Sequence, residues 1–350
     1  MRDVAIVAFA QSAGAAETER NEVEILMPVV REALDRAGLS IEQIGFVMSG
    51  SCDYLAGQPF AFVTALDAVG LWPPKQESHV EQDGAWALYE AWARMQHDEI
   101  GSALVYAFGK SSLGSIRDVL ALQLDPYYVA PLWPDAVSIA ALQARALLDA
   151  SAYSERDFAE VAARSQHNAQ SNPNAEVAGD ATADDLLALP YTVSPLREHD
   201  CPPVSDGAAA VVLAAGDLAR EICERPAWIR GIDHRVDPQG LGLRDLAASA
   251  SAALAAKHAG VQEGPVDVAE LHASFSHQEL ILRDALGLGE GTVINPSGGA
   301  LAADPVMVTG LIRIGEAATR IMRGDANRVV AHATAGPCLQ QNLVCVMEGA

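Results

Sequence analysis

The stretch TVINPSGGALAADPVMVTGLIRIGE, residues 292 to 316, decides how the rest of the chain is read. A short β-like lead runs into Asn295-Pro296-Ser297-Gly298-Gly299, and behind Asp304-Pro305 an apolar pattern at Val306, Leu311, Ile314 and Ala318 suggests a helix. Paired glycines let backbone amides approach a ligand closely, and Pro305 suits the first turn of a helix whose free N–H groups face whatever lies in front. A plain strand-loop-helix connection has the same pattern. Both readings stay open on this segment alone.

Working outward, the chain of 350 residues exceeds a typical single domain, which predicts two packed halves or one domain with a large insertion. No window holds the unbroken apolar run of about 18 residues that spans a bilayer, so no membrane insertion is expected. Arg2-Asp3 leads directly into Val4-Ala5-Ile6-Val7 without a charged-then-apolar leader. Five cysteines, at 52, 201, 223, 338 and 345, are odd in number and lack metal-ligand spacing, so no metal is expected and a reducing cytoplasm fits. The formal charge of −23, from 46 acidic and 23 basic residues, argues against a broad nucleic-acid-binding face. An anionic ligand would need a local basic patch.

Strand-like and helix-like segments alternate from the start: a strand at 4 to 9, a helix at 23 to 37 closed by Gly38, a strand at 44 to 50 and a helix at 60 to 69. Beyond Trp72-Pro73-Pro74 come a short segment at 78 to 80, a helix at 84 to 95 and a strand at 102 to 108, which predicts a parallel sheet with covered faces, complete near Gly109. Residues 110 to 200 break this rhythm and read as an inserted lid or loop subdomain, with helices near 138 to 149 and 154 to 170. Strand and helix signals resume at 206 and continue to the end, with a helix from 305 and a last strand at 343 to 347. Helix, charged turn and strand at 84 to 107 are repeated in plan at 305 to 332, so a duplicated α/β fold is the economical reading, with halves at 1 to 220 and 221 to 350. Neither GxGxxG nor GxxxxGK[ST] follows the first strand, and no Gly-x-Ser-x-Gly elbow occurs.

Asn295-Pro296-Ser297-Gly298-Gly299, the helix behind Asp304-Pro305, His272-Ala273-Ser274-Phe275 after a buried strand, and Asp206-Gly207-Ala208-Ala209 together resemble the thiolase superfamily. The likeness is greatest to the sterol-carrier-protein-x type and the lipid-transfer-protein-like thiolases of actinobacterial steroid catabolism, and it covers essentially the whole chain. The fold this resemblance implies is α/β, with two βαβαβαββ halves in a five-layered α/β/α/β/α body.

The chemistry it implies starts from an acyl-enzyme on a cysteine at a helix N-terminus, with a second cysteine, a histidine and oxyanion holes. Aligning Glu81-Gln82-Asp83-Gly84 with the family's Cys-x-x-Gly puts Glu81 at the nucleophile position. The histidine after the glycine-rich loop falls on Asp304, and the second cysteine falls near Gly336, with Cys338 two residues on. Only His272 matches, at the position whose side chain helps build an oxyanion hole, while Ala273 replaces an acidic neighbour. Thiolysis through an acyl-cysteine is therefore not expected. Retro-aldol cleavage of a β-hydroxyacyl thioester needs a base and enolate-stabilising donors but no covalent nucleophile.

Glu81 and Asp304 are the candidate bases; both also read as helix-capping acids. Gly298, Gly299 and Gly336 are candidate oxyanion or pocket positions. His79 and His332 either line the same pocket or sit in the core, and Cys338 is either a reactive thiol or a small apolar residue. His272 and His277 are five apart, which argues against a shared metal, and His277 reads as structural. Trp86 and Trp92 read as packing. By resemblance Tyr127, Tyr128 and Trp133 are candidates to contact a large acyl group, and Arg145 or Arg164 to meet the phosphates of CoA.

The resemblance implies a subunit acting on acyl-CoA thioesters in sterol or steroid side-chain breakdown, with the CoA thioester as substrate and no further cofactor. A non-catalytic subunit that stabilises an active thiolase-like paralogue, and an acyl-CoA or lipid carrier, are the alternatives. A dimer or hetero-oligomer with such a paralogue, or with a small zinc-ribbon and OB-fold protein, is the expected assembly.

Overall fold

A computed structural model of the protein describes residues 2–16, 19–73 and 75–349. Pro74 of the expected linker, and residues 1 and 350 at the outer limits of the two expected halves, lie outside the described residues. The first half runs β1 (Val4–Gln11), α1 (Glu22–Ala37), β2 (Phe46–Gly50), α2 (Asp53–Ala56), α3 (Ala61–Val69), β3 (Gln76–Val80), α4 (Gly84–Met95) and β4 (Ser102–Lys110). Then come α5 (Ile116–Leu122), α6 (Ala136–Ala150), α7 (Glu155–Ala169), α8 (Ala183–Leu187), the hairpin β5 (Tyr191–Val193) and β6 (Leu196–Arg197), β7 (Asp206–Ala215) and α9 (Gly216–Ile222). The second half is β8 (Ala227–Val236), α10 (Ala250–Ala259), β9 (Val268–Leu271), α11 (Ser276–Leu286), β10 (Val293–Ile294), α12 (Thr309–Arg323), β11 (Arg328–Ala335) and β12 (Gln341–Glu348).

Ten strands form one sheet in the order β10-β9-β11-β12-β8-β1-β7-β4-β2-β3. Read outward from the centre, each half has the same order: first strand, fifth, fourth, second, third. The halves join where β1 meets β8 antiparallel at only Ala5↔Trp228 and Ile6↔Ala227. Beyond that short seam the sheet wraps round α4 and α12. Trp86, Leu88, Leu311 and Ile314 of these two helices share one buried cluster with Phe9, Val105, Val329 and Leu343 from strands of both halves. The outer faces are covered by α1, α3 and α9 on one side and by α6, α7, α10 and α11 on the other. The chain thus has the five-layered thiolase-like α/β arrangement.

Two expectations are corrected. The sheet is mixed, because β7 runs antiparallel to both β1 and β4 and closes the first half only after the insertion. The helix behind the glycine-rich loop begins at Thr309, since Pro305 first forms a turn in which its carbonyl accepts the Val308 and Thr309 N–H groups. Within the inserted segment α7 buttresses the glycine-rich loop, with Asn168 Nδ2 donating to the Asn295 carbonyl at 2.9 Å and Ser165 Oγ to that of Gly298. No helix among the described residues is long and apolar enough to cross a membrane.

Candidate active site

His272 stands one residue past β9, where its backbone N–H donates to the His332 carbonyl of β11 at 3.2 Å. The Thr334 N–H donates to its Nδ1 at 3.4 Å. In the neutral ring the proton therefore sits on Nε2. That atom lies 3.4 Å from Asp304 Oδ1, and each side chain is only 9% exposed. Asp304 is fixed in turn by its own N–H, which donates to Ser205 Oγ at 3.2 Å. Burial pushes its carboxyl up, but the hydrogen bond and charge of His272, with the Thr309 and Ser274 hydroxyls, outweigh this and hold it below the usual carboxylate range.

A second buried acid lies in the same neighbourhood and was missed in the sequence. Asp83 caps α4 and is 2% exposed. Burial raises its pKa; His272 and the Ala85 and Gly310 N–H groups pull it down, while Asp304 raises it further. Its signal was an Asp at a helix start, two residues beyond the position taken for the nucleophile.

Glu81, the other candidate base, is exposed: one oxygen accepts the Asp53 N–H at 2.6 Å, and the other lies 3.5 Å from His79 Nε2. His79 stacks on Phe62 at 4.5 Å and meets Ser49 Oγ at 3.1 Å. No hydrogen bond or ion pair among the described residues joins Glu81 or His79 to His272 or Asp304. They form a separate pair, Glu81 exposed and His79 half-buried.

Gly298 and Gly299 do not offer free amides. The Gly298 N–H donates to the Asn295 carbonyl at 2.9 Å, and that of Gly299 to Ser297 Oγ at 3.3 Å. Beneath them Glu270 is fully buried, accepting the Ser297 N–H at 3.0 Å and pairing with Arg313 at 2.7 Å. The glycine-rich loop is a rigid wall that delivers Asp304. His332 is a core residue, its Nε2 2.9 Å from Asn342 Oδ1, and burial depresses its pKa to about 3.

Gly336 is exposed with φ 74°. Cys338 behind it is buried against Ala121, Leu124 and Ile139. Burial pushes its thiol up to about 11 although Arg244 pulls the other way, which favours the small apolar residue of the two readings. Tyr127 and Tyr128 are 82% and 81% exposed and Trp133 is 44% exposed, so all three have surface free for a large apolar group. The two arginines assigned to CoA phosphates are already engaged, Arg145 with Asp149 at 2.6 Å and Arg164 with the buried Glu279. His277 is fully buried beside Gln143, a structural residue.

No protein-family model matches the chain. It is 28% identical to an acetyl-CoA acetyltransferase of Methanothermobacter thermautotrophicus over 94% of this chain and 93% of that protein. It is 30% identical to sterol carrier protein 2 of Gallus gallus over 49% of this chain, which spans 36% of that longer protein. Among solved structures it superposes on an Ltp2-ChsH2(DUF35) aldolase with TM-score 0.82 at 19% identity, covering 99% of this chain and 98% of that one. Human mitochondrial 3-ketoacyl-CoA thiolase gives TM-score 0.79 at 18% identity, covering 100% and 99%.

Proposed function

We propose that this chain acts on acyl-CoA thioesters by acid–base chemistry at His272 and Asp304, cleaving or forming a carbon–carbon bond by an aldol route without an acyl-cysteine. The observation that carries this reading is the buried His272–Asp304 pair, 3.4 Å apart, in a chain with Glu81 at the expected nucleophile position. At that length the two groups are in electrostatic contact rather than a well-formed hydrogen bond, which leaves Nε2–H for a substrate oxygen.

In the cleavage direction Asp304, ionised at neutral pH, takes the β-hydroxyl proton. The bond between Cα and Cβ breaks, its electron pair passes into the thioester enolate, and the β-carbon leaves as a ketone or aldehyde. His272 Nε2–H donates a hydrogen bond to the enolate oxygen as charge develops there, and return of the proton from Asp304 to Cα gives the shortened acyl-CoA and restores the Asp304 carboxylate. Likeness to an acetyl-CoA acetyltransferase supports the thioester class, and likeness to sterol carrier protein 2 supports a sterol or steroid acyl group. The exposed Tyr127, Tyr128 and Trp133 offer it a surface. The aldolase neighbour joins two components, Ltp2 and ChsH2(DUF35), which supports a hetero-oligomer for this chain, with a small zinc-ribbon and OB-fold protein as its partner.

A second reading, a scaffold for an active thiolase-like paralogue, is favoured by Glu81, Asp304 and Gly336 standing in place of the expected catalytic groups. The two separate in one assay. The chain, alone and with its partner, is given a steroid β-hydroxyacyl-CoA, and cleavage is compared with that of His272→Ala and Asp304→Ala. A loss of about 10²-fold to 10⁴-fold in either variant supports catalysis here; full activity in both assigns the chain to the scaffold.

A further inference from the structure

Asn295, at the start of the glycine-rich loop, is a buried polar residue that the proposed reaction does not use. Strand β10 pairs with β9 at Val293↔Val268 and Ile294↔Ala269, and the Asn295 N–H adds a rung by donating to the Ala269 carbonyl at 2.8 Å. There the backbone leaves the sheet, because Asn295 takes φ 47°, a left-handed conformation that asparagine tolerates better than most residues. The next rung is made by its side chain, whose Oδ1 accepts the Leu271 N–H at 2.6 Å. Strand β9 therefore keeps a partner on this side to its last residue, although the chain beside it has already become the loop.

His272 follows Leu271 directly. The Leu271 carbonyl accepts the Ala273 N–H at 3.1 Å, so His272 stands at the centre of a three-residue turn. On one side β11 holds this turn, through the His332 carbonyl and the Thr334 N–H; on the other side Asn295 Oδ1 holds it. Glu279 of α11 imposes the orientation of the Asn295 amide. It is 2% exposed, its Oε2 accepts from Asn295 Nδ2 at 3.0 Å, and its Oε1 pairs with Arg164 of α7. A carboxylate accepts and does not donate, so Nδ2 must face Glu279 and Oδ1 must face Leu271.

We propose that Asn295 is a positioning residue for His272: its side-chain carbonyl, turned by Glu279 and Arg164, fixes the Leu271 peptide and with it the turn that presents the imidazole. The ring's own contacts are long, 3.4 Å from Nε2 to Asp304 Oδ1 and 3.4 Å from the Thr334 nitrogen to Nδ1, so a small shift of the turn loses both. A misplacement of about 1 Å at a reacting group costs on the order of 10²-fold in rate. The catalytic consequence rests on the His272–Asp304 reading above; the placement of the ring does not.

The test exchanges the two polar partners. Asn295→Asp keeps an oxygen for Leu271 but sets two carboxylates against each other. Adding Glu279→Gln restores every contact, since the new carboxylate accepts from Leu271 and from the new amide, whose carbonyl meets Arg164. With a steroid β-hydroxyacyl-CoA and the partner present, kcat is expected to fall about 10²-fold in Asn295→Asp at unchanged KM, and most of the loss to be recovered in the double variant. Wild-type kcat in folded Asn295→Asp, or a folded double variant as impaired as the single one, overturns the proposal. Should Asn295→Asp fail to fold, Glu279→Gln alone takes its place, leaving Arg164 and Asn295 Nδ2 to compete for one carbonyl. The ring itself is read by nitrogen NMR with labelled histidine at a pH where it is neutral, His272 being assigned by its loss in His272→Gln. The wild type is expected to show the proton on Nε2, the single variant a shift towards the average of the two tautomers, and the double variant a return; unchanged ring nitrogens in a folded single variant overturn the proposal. Undiminished turnover by His272→Ala would remove the catalytic reading and leave the ring-nitrogen result standing, so the two failures are distinct.

Discussion

At His272 a single backbone N–H from Thr334 decides which ring nitrogen carries the proton, and with it which face can act as an acid. The partner at Asp304 is held below the usual carboxylate range, so the stability their pairing contributes is present above that range and lost as pH falls through the folded value. Asp304→Asn keeps the shape and removes the charge. We expect it to remain folded at neutral pH and to lose activity by about 10²-fold or more, measured as kcat on a β-hydroxyacyl-CoA. Cys338 belongs to the opposite case. With its thiol pushed up to about 11 and its side chain packed against Ile139, it is expected to resist iodoacetamide in the native chain at pH 7.5 and to react only on unfolding. His272 and Asp304 were reached in the sequence through the resemblance, His272 at the position whose side chain helps build an oxyanion hole and Asp304 where the histidine after the glycine-rich loop falls. Asp83 was not, because Glu81 and Asp83 flank one helix start and only the close approach of Gly310 decides which acid is buried.

At the scale of elements, the glycine-rich loop is held from both sides, by Asn168 and Ser165 of α7 and by the Glu270–Arg313 pair linking β9 to α12. Arg313→Met would leave the fully buried Glu270 uncompensated, at a cost of about 3–5 kcal/mol in urea unfolding. Helix α11 contains a histidine whose pKa burial depresses to about 3, from an ordinary 6.5. Below 6.5 the unfolded chain binds a proton at His277 that the folded chain refuses. Stability from keeping it neutral is therefore full above 6.5 and falls with pH by about 1.4 kcal/mol per unit towards the folded value. His277→Leu is expected to show a pH dependence shallower by that amount between pH 6 and pH 4; an identical slope would refute the linkage. The strands and most helices were readable from periodicity, among them α1, expected at 23 to 37 and closed by Gly38. The mixed sheet was not, since β7 finds β1 and β4 only through long-range pairing.

Across the whole molecule, one strand order occurs twice and the two copies meet at a seam of two residue pairs, so the packing of α4 against α12 carries much of the link between them. Duplication was visible in the sequence as a repeated helix, turn and strand; the wrapping of one sheet round both central helices was not, because it depends on where β1 and β8 part. The charge of −23 surrounds this body, and the arginines expected at CoA phosphates are paired with acids. An acyl-CoA therefore approaches against a repulsive field, and its association rate with the isolated chain is expected to rise as salt is raised from low ionic strength to about 0.15 M, where charges are screened beyond about 8 Å. A fall over that range would reveal a basic patch. Cleavage by two side chains without an acyl-cysteine is the central claim, and the most direct measurement is turnover of a steroid β-hydroxyacyl-CoA by the chain with its partner, read beside intact mass. We expect turnover that is lost in both His272→Ala and Asp304→Ala, with the chain's mass unchanged throughout; a stable acyl adduct on any of its cysteines, or turnover that survives both substitutions, would contradict it.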